Sequence, residues 1–263
     1  MRMLTHREVP WRITFDTNPD NCNLHCIMCE QHSEFGSFQK EQKTKRIKPR
    51  QMSIELIRKV LEQIGQKGLE QIIPSTMGEP LLYRHFDAII DYCYEYELKL
   101  NLTTNGTFPK RGVIEWANQI VPVGSDVKIS WNGATATTQE GIMKGTSFSK
   151  GLENIRNFVR VRDETAQKGG NYCRVTLQMT FMKSNISEIP EMIKLASQLG
   201  IDRIKGHHLW VHFPELESLS LQKSAKRIKK WNQTVQLAHN MVEQYRLNSG
   251  NKIELDNFFP LIL

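Results

Sequence analysis

Hydrophobic residues recur along this chain in two alternating rhythms, one of period two and one near 3.6, and their order predicts the architecture. Residues 11–17 set Trp11, Ile13 and Phe15 against Arg12, Thr14 and Asp16, a strand pattern that Asn18-Pro19-Asp20-Asn21 breaks. Ser53 then offers a cap to a helical run of Ile54, Ile57, Val60, Leu61 and Ile64, which Gly65 and Gly68 end. The same pair of rhythms repeats: strand 70–75 with helix 85–96, strand 98–103 with helix 111–120, strand 126–131 with helix 148–163. Strand 173–182 alternates most cleanly, Val175, Leu177, Met179 and Phe181 on one face and Arg174, Thr176, Gln178 and Thr180 on the other, and helix 187–199 follows it up to Gly200. Strand 202–212 precedes a long last helix running from Ala225 through Trp231 and Met241 to Tyr245.

Six strand-then-helix units imply a parallel sheet with right-handed crossovers, and six rather than eight imply an open one. The expected fold is therefore α/β, a partial (β/α)6 barrel over residues 1–215, with residues 216–263 forming a C-terminal helix and tail packed against it. Residues 30–52 are polar, basic and without period, and read as a loop or lid joining the end of the first strand to the first helix.

At 263 residues and 30.5 kDa the chain can bury one large core. No run approaches the roughly 20 apolar residues of a membrane span, and the N-terminus, Met1-Arg2-Met3-Leu4, has no secretory apolar region, so a reducing cytoplasmic setting is expected. A net charge of +7 suggests an anionic partner such as a nucleotide, a phosphorylated metabolite or a nucleic acid. Much of that excess lies between Lys40 and Arg50, and a basic run without interleaved aromatics is commonly a solvated loop, so nucleic acid is the weaker reading.

Chemistry concentrates in one place. Three of the five cysteines, Cys22, Cys26 and Cys29, fall within eight residues directly after the first strand, where parallel barrels carry their catalytic groups. Three thiolates on a short loop suit three corners of a cubane iron–sulfur cluster and leave the fourth iron open. A zinc site completed by His25 or His32, and a disulfide, are the alternatives; no second Cys-x2-Cys or His-x3-His element follows to close a zinc site in the usual way. Cys93 and Cys173 sit on apolar stripes and read as core. His207, His208 and His212 end the sixth strand, where substrate-facing or core roles are favoured over a metal site because neighbours on a strand point apart.

With these residues in view, positions 12–212 resemble the radical S-adenosylmethionine (radical SAM) superfamily: a Cys-x3-Cys-x2-Cys loop after the first strand, Gly78-Glu79-Pro80 after the second, and Thr103-Thr104-Asn105-Gly106 after the third. The resemblance implies that Cys22, Cys26 and Cys29 hold a [4Fe-4S] cluster whose open iron is chelated by the amino and carboxylate groups of S-adenosylmethionine. It further implies that Gly78, Glu79 and Pro80 meet the cofactor's ammonium, although Met77 stands where relatives usually carry a first glycine. Ser130 and Asn132 are expected to meet the ribose, with Asn in place of the more frequent Asp. Lys144 stands where an arginine often pairs with the carboxylate, Gln178 is a further contact, and the backbone of Met28 is expected against adenine. Glu79 as a helix cap and Asn105 as a plain tight turn are the simpler alternatives. The resemblance is to the barrel portion of SPASM-type enzymes, without their C-terminal cysteine array, since no cysteine follows Cys173. Implied partners are a small polar or phosphorylated metabolite or a peptide as substrate, and an electron donor such as flavodoxin or ferredoxin. A non-catalytic iron–sulfur or zinc-bearing sensor, or a nucleic-acid-binding module, is the alternative; it leaves the Gly-Glu-Pro and Ser-x-Asn-Gly elements unexplained.

Overall fold

The structure, a computed structural model, describes residues 8–262 apart from 246, 248 and 249. The N-terminal stretch read above for a leader, Met1 to Leu4, and the last residue of the tail, Leu263, lie outside them.

Seven parallel strands form a single sheet in sequence order: β1 (Arg12–Thr14), β2 (Gln71–Ile73), β3 (Lys99–Thr104), β4 (Gly124–Ser130), β5 (Arg174–Phe181), β6 (Arg203–His208) and β7 (Glu254–Asp256). The helices that join them are α1 (Phe38–Thr44), α2 (Ile54–Ile64), α3 (Phe86–Glu95), α4 (Val113–Ile120), α5 (Ala136–Ile142), α6 (Phe148–Gln167), α7 (Ile189–Leu199) and α8 (Ala225–Gln244). The six expected strand-and-helix units are present, and each helix apart from α1 and α5 starts or ends near its predicted limit. Ser53 caps α2 by accepting the Leu56 N–H at 3.3 Å, and Gly200 ends α7 at φ 72°.

Three elements depart from the sequence reading, for one reason. Helix α1 lies within the expected loop 30–52 and buries none of its residues, so no apolar period marks it. Helix α5 buries only Gln139 and Ile142. Strand β7 is three residues long and adds a seventh strand beside β6, too short for alternation to register. Each is held by tertiary contact rather than by its own pattern.

The two sheet faces differ sharply. Leu100, Leu102, Val127, Ile129, Val175, Leu177 and Ile204 are buried against the helices and dominate the core. At an apolar transfer free energy of about 25 cal/mol per Å², such side chains each contribute roughly 1.5–3 kcal/mol. The opposite, inner face is a polar ladder linked across strands: Asn101 donates to Gln71 at 3.0 Å, Thr176 to Asp126 at 2.7 Å and Lys205 to Asp256 at 3.0 Å, while Arg203 pairs with Asp126. Beyond β7 the tail runs back along α8, where Trp231 Nε1–H donates to Phe259 O at 2.8 Å and Asn232 donates to Leu261 O at 3.0 Å. No helix among the described residues is long and apolar enough to cross a membrane.

Candidate functional site

At the C-terminal ends of β2 to β5 the inner face opens into a cavity of about 270 Å³. Cys22, Cys26, Met28 and Cys29 of the loop after β1 form one wall, and Gly78, Asn105, Ser130, Asn132 and Gln178 face it from the ends of four successive strands. Nine of the sequence-derived positions thus converge, because period two places Ser130 and Asn132, like Thr103 and Asn105, on one face at a strand's end.

The cysteine loop is held by its neighbours rather than by regular structure. His25 N–H donates to Lys144 O at 2.9 Å and Ile27 N–H to Ile142 O at 3.0 Å, which stitches the loop to the residues ending α5. Leu24 is buried with Ile142, Met143, Met182, Leu209 and Leu216 in a second, smaller apolar cluster that also receives Cys22, Cys26 and Met28. All five cysteines are free, and Cys93 and Cys173 lie in the main core, remote in role from the other three.

The donor set fits an iron–sulfur cluster. Leu24 N–H and Asn105 Nδ2–H both point at Cys22 Sγ, at 3.5 and 3.7 Å, the kind of N–H···S contact that tunes cluster thiolates. Burial pushes the Cys22 thiol up to about 11 and raises Cys26 and Cys29 as well, with Cys26 further opposed by the charges of Cys22 and Cys29. Three thiolates that destabilise one another need a cationic centre between them. Among the described residues no three His, Cys, Asp or Glu side chains are grouped around a single ion position. His32 lines the cavity but is not free to ligate: Gln39 Nε2–H donates to its Nδ1 at 2.6 Å and its Nε2 faces Pro19 O at 3.5 Å. His25 is exposed on the other side of the loop.

Several expected contacts take a different form. Glu79 is wholly buried beneath the cavity instead of on its wall. Its carboxylate accepts Leu81 N–H at 3.1 Å, Thr104 Oγ1–H at 2.8 Å and Asn105 N–H at 2.7 Å. It therefore caps the short 3₁₀ turn Pro80–Leu82 and, more tellingly, ties the end of β2 to the end of β3. Burial raises this carboxyl to about 7 against the pull of the three donors. Pro80 is buried as the first residue of that turn and does not reach the cavity. Lys144 is exposed and only its carbonyl serves the cysteine loop, whereas its neighbour Met143 lines the cavity. The side chain of Asn105 is spent on structure, donating to Asn23 Oδ1 at 2.8 Å and accepting from Thr107 N–H at 3.0 Å. Asn132 Oδ1 likewise accepts Thr180 N–H at 2.8 Å. Ser130 and Gln178, by contrast, have side chains that bond to nothing among the described residues, which leaves them for a ligand.

Met77, Thr103 and Thr104, quoted above within motifs, also line the cavity, and so do Ser75 and Thr76, which were not singled out from sequence. Their signal was available as strand parity and position at strand ends, but these common residue types carry no motif of their own. β6 stops at His208, short of the expected 212: His208 packs on Phe181 and Trp231, His207 lies 3.4 Å from Thr180 Oγ1 on the inner face, and His212, beyond the strand, stacks on Trp210.

One level below Ser130 on the inner face, Lys128 donates to Asn101 Oδ1 and pairs with no carboxylate among the described residues. Burial lowers its ammonium from 10.5 to about 8. The folded chain thus releases this proton before the unfolded chain does, so stability rises with pH between about 8 and 10.5 and the full penalty is present below that window. Lys128→Met is expected to be more stable than the parent at neutral pH by roughly 2–3 kcal/mol and to lack that part of the rise. Urea unfolding of both proteins at pH 7 and pH 10 measures the difference; equal stabilities at pH 7 would refute the assignment.

The matched family model is the Radical SAM superfamily, over residues 19–196. The pre-heme d1 synthase of Dinoroseobacter shibae is 28% identical over 205 residues, covering 76% of this chain and 43% of its own length. The Fe-coproporphyrin III synthase of Methanosarcina barkeri is 27% identical over 203 residues, with the same coverage of 76% and 43%. The chain therefore spans less than half the length of these relatives. SuiB of Streptococcus suis, solved with S-adenosylmethionine bound, has the same fold at a TM-score of 0.66 and 15% identity, over 94% of this chain and 49% of SuiB. With the cysteine loop after β1, the ligand-facing ends of β2 to β5 and a family match across most of the sheet, the chain belongs to the radical SAM superfamily.

Proposed function

We propose that the chain is the catalytic barrel of a radical SAM enzyme that cleaves S-adenosylmethionine reductively and takes a hydrogen atom from a peptide or a small polar or phosphorylated metabolite. The observation that carries this reading is the single cavity shared by three cysteines and by the unpartnered polar side chains of Ser130 and Gln178. Cys22, Cys26 and Cys29 would hold the cluster. Once cluster and S-adenosylmethionine are bound, they supply one-electron cleavage of the sulfonium to methionine and a deoxyadenosyl radical.

This chain's own residues do the positioning. Glu79 fixes the ends of β2 and β3 against each other, so the backbone at Met77 and Gly78 and the turn at Asn105 meet a ligand in one geometry. Ser130 and Gln178 offer hydroxyl and amide groups to the ribose or the methionine carboxylate, while Met28 and Met143 give an apolar wall that excludes water from a reactive carbon radical. Farther along the inner face, Lys128 and His207 offer cationic or hydrogen-bonding groups to a carboxylate-bearing substrate. The structure of SuiB with its precursor peptide SuiA supports a peptide; the two synthases named above support a small-molecule substrate. Free thiols throughout accord with a reducing, cytoplasmic location.

Anaerobic reconstitution with iron and sulfide, followed by dithionite and S-adenosylmethionine, is expected to yield 5′-deoxyadenosine and methionine in equal amounts. A fully loaded cluster that yields none, with or without peptide and tetrapyrrole substrates of the relatives, would sink the reading. Tightly bound zinc without sulfide would favour the sensor alternative.

A further inference from the structure

Cys22 is shared between two cavities. One is the site above; the other is an open groove of about 510 Å³ outside it, with Cys22 and His25 on one side and Lys43, Arg46, Ile47 and Lys48 on the other. The groove exists because α1 and the segment after it are folded against the cysteine loop. Asp20, buried two residues before Cys22, holds Arg50 at 2.6 Å and accepts from Gln42 at 3.1 Å, clasping both ends of that segment.

The charge of the segment is lopsided. Residues 38–50 carry Lys40, Lys43, Lys45, Arg46, Lys48 and Arg50 against one carboxylate, Glu41. Glu41 neutralises Lys45 at 3.2 Å and Asp20 neutralises Arg50, which leaves Lys40, Lys43, Arg46 and Lys48 with no carboxylate partner among the described residues. All four are outside the core, and α1 buries nothing, so their charge serves neither fold nor helix packing. Ile47 lies exposed among them. An exposed isoleucine rimmed by cations matches a protein interface, whereas the groove has no Phe, Tyr or Trp side chain on which a nucleic-acid base would stack.

Resting on the function proposed above, which needs one electron from outside for each S-adenosylmethionine cleaved, we infer that this groove is the docking surface for an acidic one-electron carrier protein of the flavodoxin type. The carrier is oxidised by one electron and the cluster held by Cys22, Cys26 and Cys29 is reduced by one; no atom crosses the interface. Entry through the Cys22 side shortens the path, since that residue alone of the three ligands lines the groove. Long-range attraction between a cationic rim and an acidic surface speeds encounter and fades with salt.

The test compares the full chain with a variant carrying Lys43→Glu, Lys48→Glu and Arg46→Asn, the last chosen because Arg46 has φ 51° and asparagine tolerates that backbone. A second variant, Lys226→Glu, Lys229→Glu and Lys230→Gln on the exposed side of α8, makes the same change in net charge and controls for it. Calorimetric titration of each with oxidised flavodoxin is expected to give a dissociation constant raised about tenfold or more in the groove variant and unchanged in the control, with wild-type binding weakened by added salt. Flavodoxin-driven 5′-deoxyadenosine formation should fall in parallel while the dithionite-driven rate stays level. Equal flavodoxin affinity in wild type and groove variant, no binding by wild type, or tighter groove-dependent binding of an RNA or DNA duplex would overturn the inference. Failure of dithionite-driven cleavage in every protein would instead strike the proposed function, while the binding titration still decides the groove.

Discussion

Replacing Cys22, Cys26 and Cys29 together with alanine should abolish iron and sulfide uptake on anaerobic reconstitution and reduce 5′-deoxyadenosine to the level seen without protein. The effect is expected to be all-or-none because the described residues offer no substitute ligand at the site: Cys93 and Cys173 are in the main core, both ring nitrogens of His32 are engaged and His25 lies on the other side of the loop. The fold should survive. In the absence of metal the three thiols are held protonated by burial, so truncating them removes a little packing and no paired charge. A thermal midpoint of the metal-free variant within a few degrees of the metal-free parent would separate loss of ligands from loss of structure. A triple variant that still loads four irons and makes 5′-deoxyadenosine would refute the ligand assignment.

The second large effect is expected at Gly78. Its φ of 71° lies in the left-handed region, and a Cβ there would stand 2.1 Å from Asn18 O, 2.8 Å from Asn21 O and 3.1 Å from Pro19 O. Those carbonyls are backbone and cannot swing aside. They are also tied in place, since Glu79 N–H donates to Asn21 O at 2.8 Å and Asn18 Nδ2–H to Glu79 O at 3.2 Å. Gly78→Ala must push away the segment that leads directly into Cys22, displacing the cysteine loop from the ends of β2 and β3. Gly112 supplies the comparison: its φ is 77°, yet an added Cβ would meet nothing within 4 Å. At ψ 167° Gly112 occupies a region essentially open to glycine alone, so Gly112→Ala should cost that backbone strain and nothing more, about 1–3 kcal/mol. Gly78→Ala should cost roughly 3–5 kcal/mol, the range of severe backbone and packing defects, and lower cluster occupancy besides. Denaturant unfolding and iron content report the two separately, and equal losses for the two variants would show that the close approach at Gly78 carries no weight.

These expectations draw on different depths of the sequence. The order of strands and helices was legible because most elements have one apolar face, and an apolar face imposes its period on the chain. The three cysteines were legible because metal chemistry restricts both residue type and spacing. Helix α1 was not, since a helix with no buried residue has no face to announce, and β7 was not, since three residues are too few to alternate. At the site the same divide appears. Ser130 and Asn132 followed from the family resemblance and Gln178 from the polar face of its strand, while Ser75 and Thr76 also line the cavity but are too common as residue types to stand out.

By itself, then, the sequence determined the α/β class, the parallel succession of strands and the loop in which a cluster would be gripped, because each of these is written in local spacing. Only the tertiary structure decided how the polar residues divide their labour. Glu79 turned beneath the cavity to join two strand ends, Lys144 turned outward and lent a carbonyl, and Asn105 gave its side chain to the cysteine loop. A carboxylate, an ammonium or an amide takes whichever partners burial leaves it, and those partners come from strands and loops far away in the chain. The physical reason is that burying a polar group costs more than any local preference can offset, so its role is settled where the elements meet.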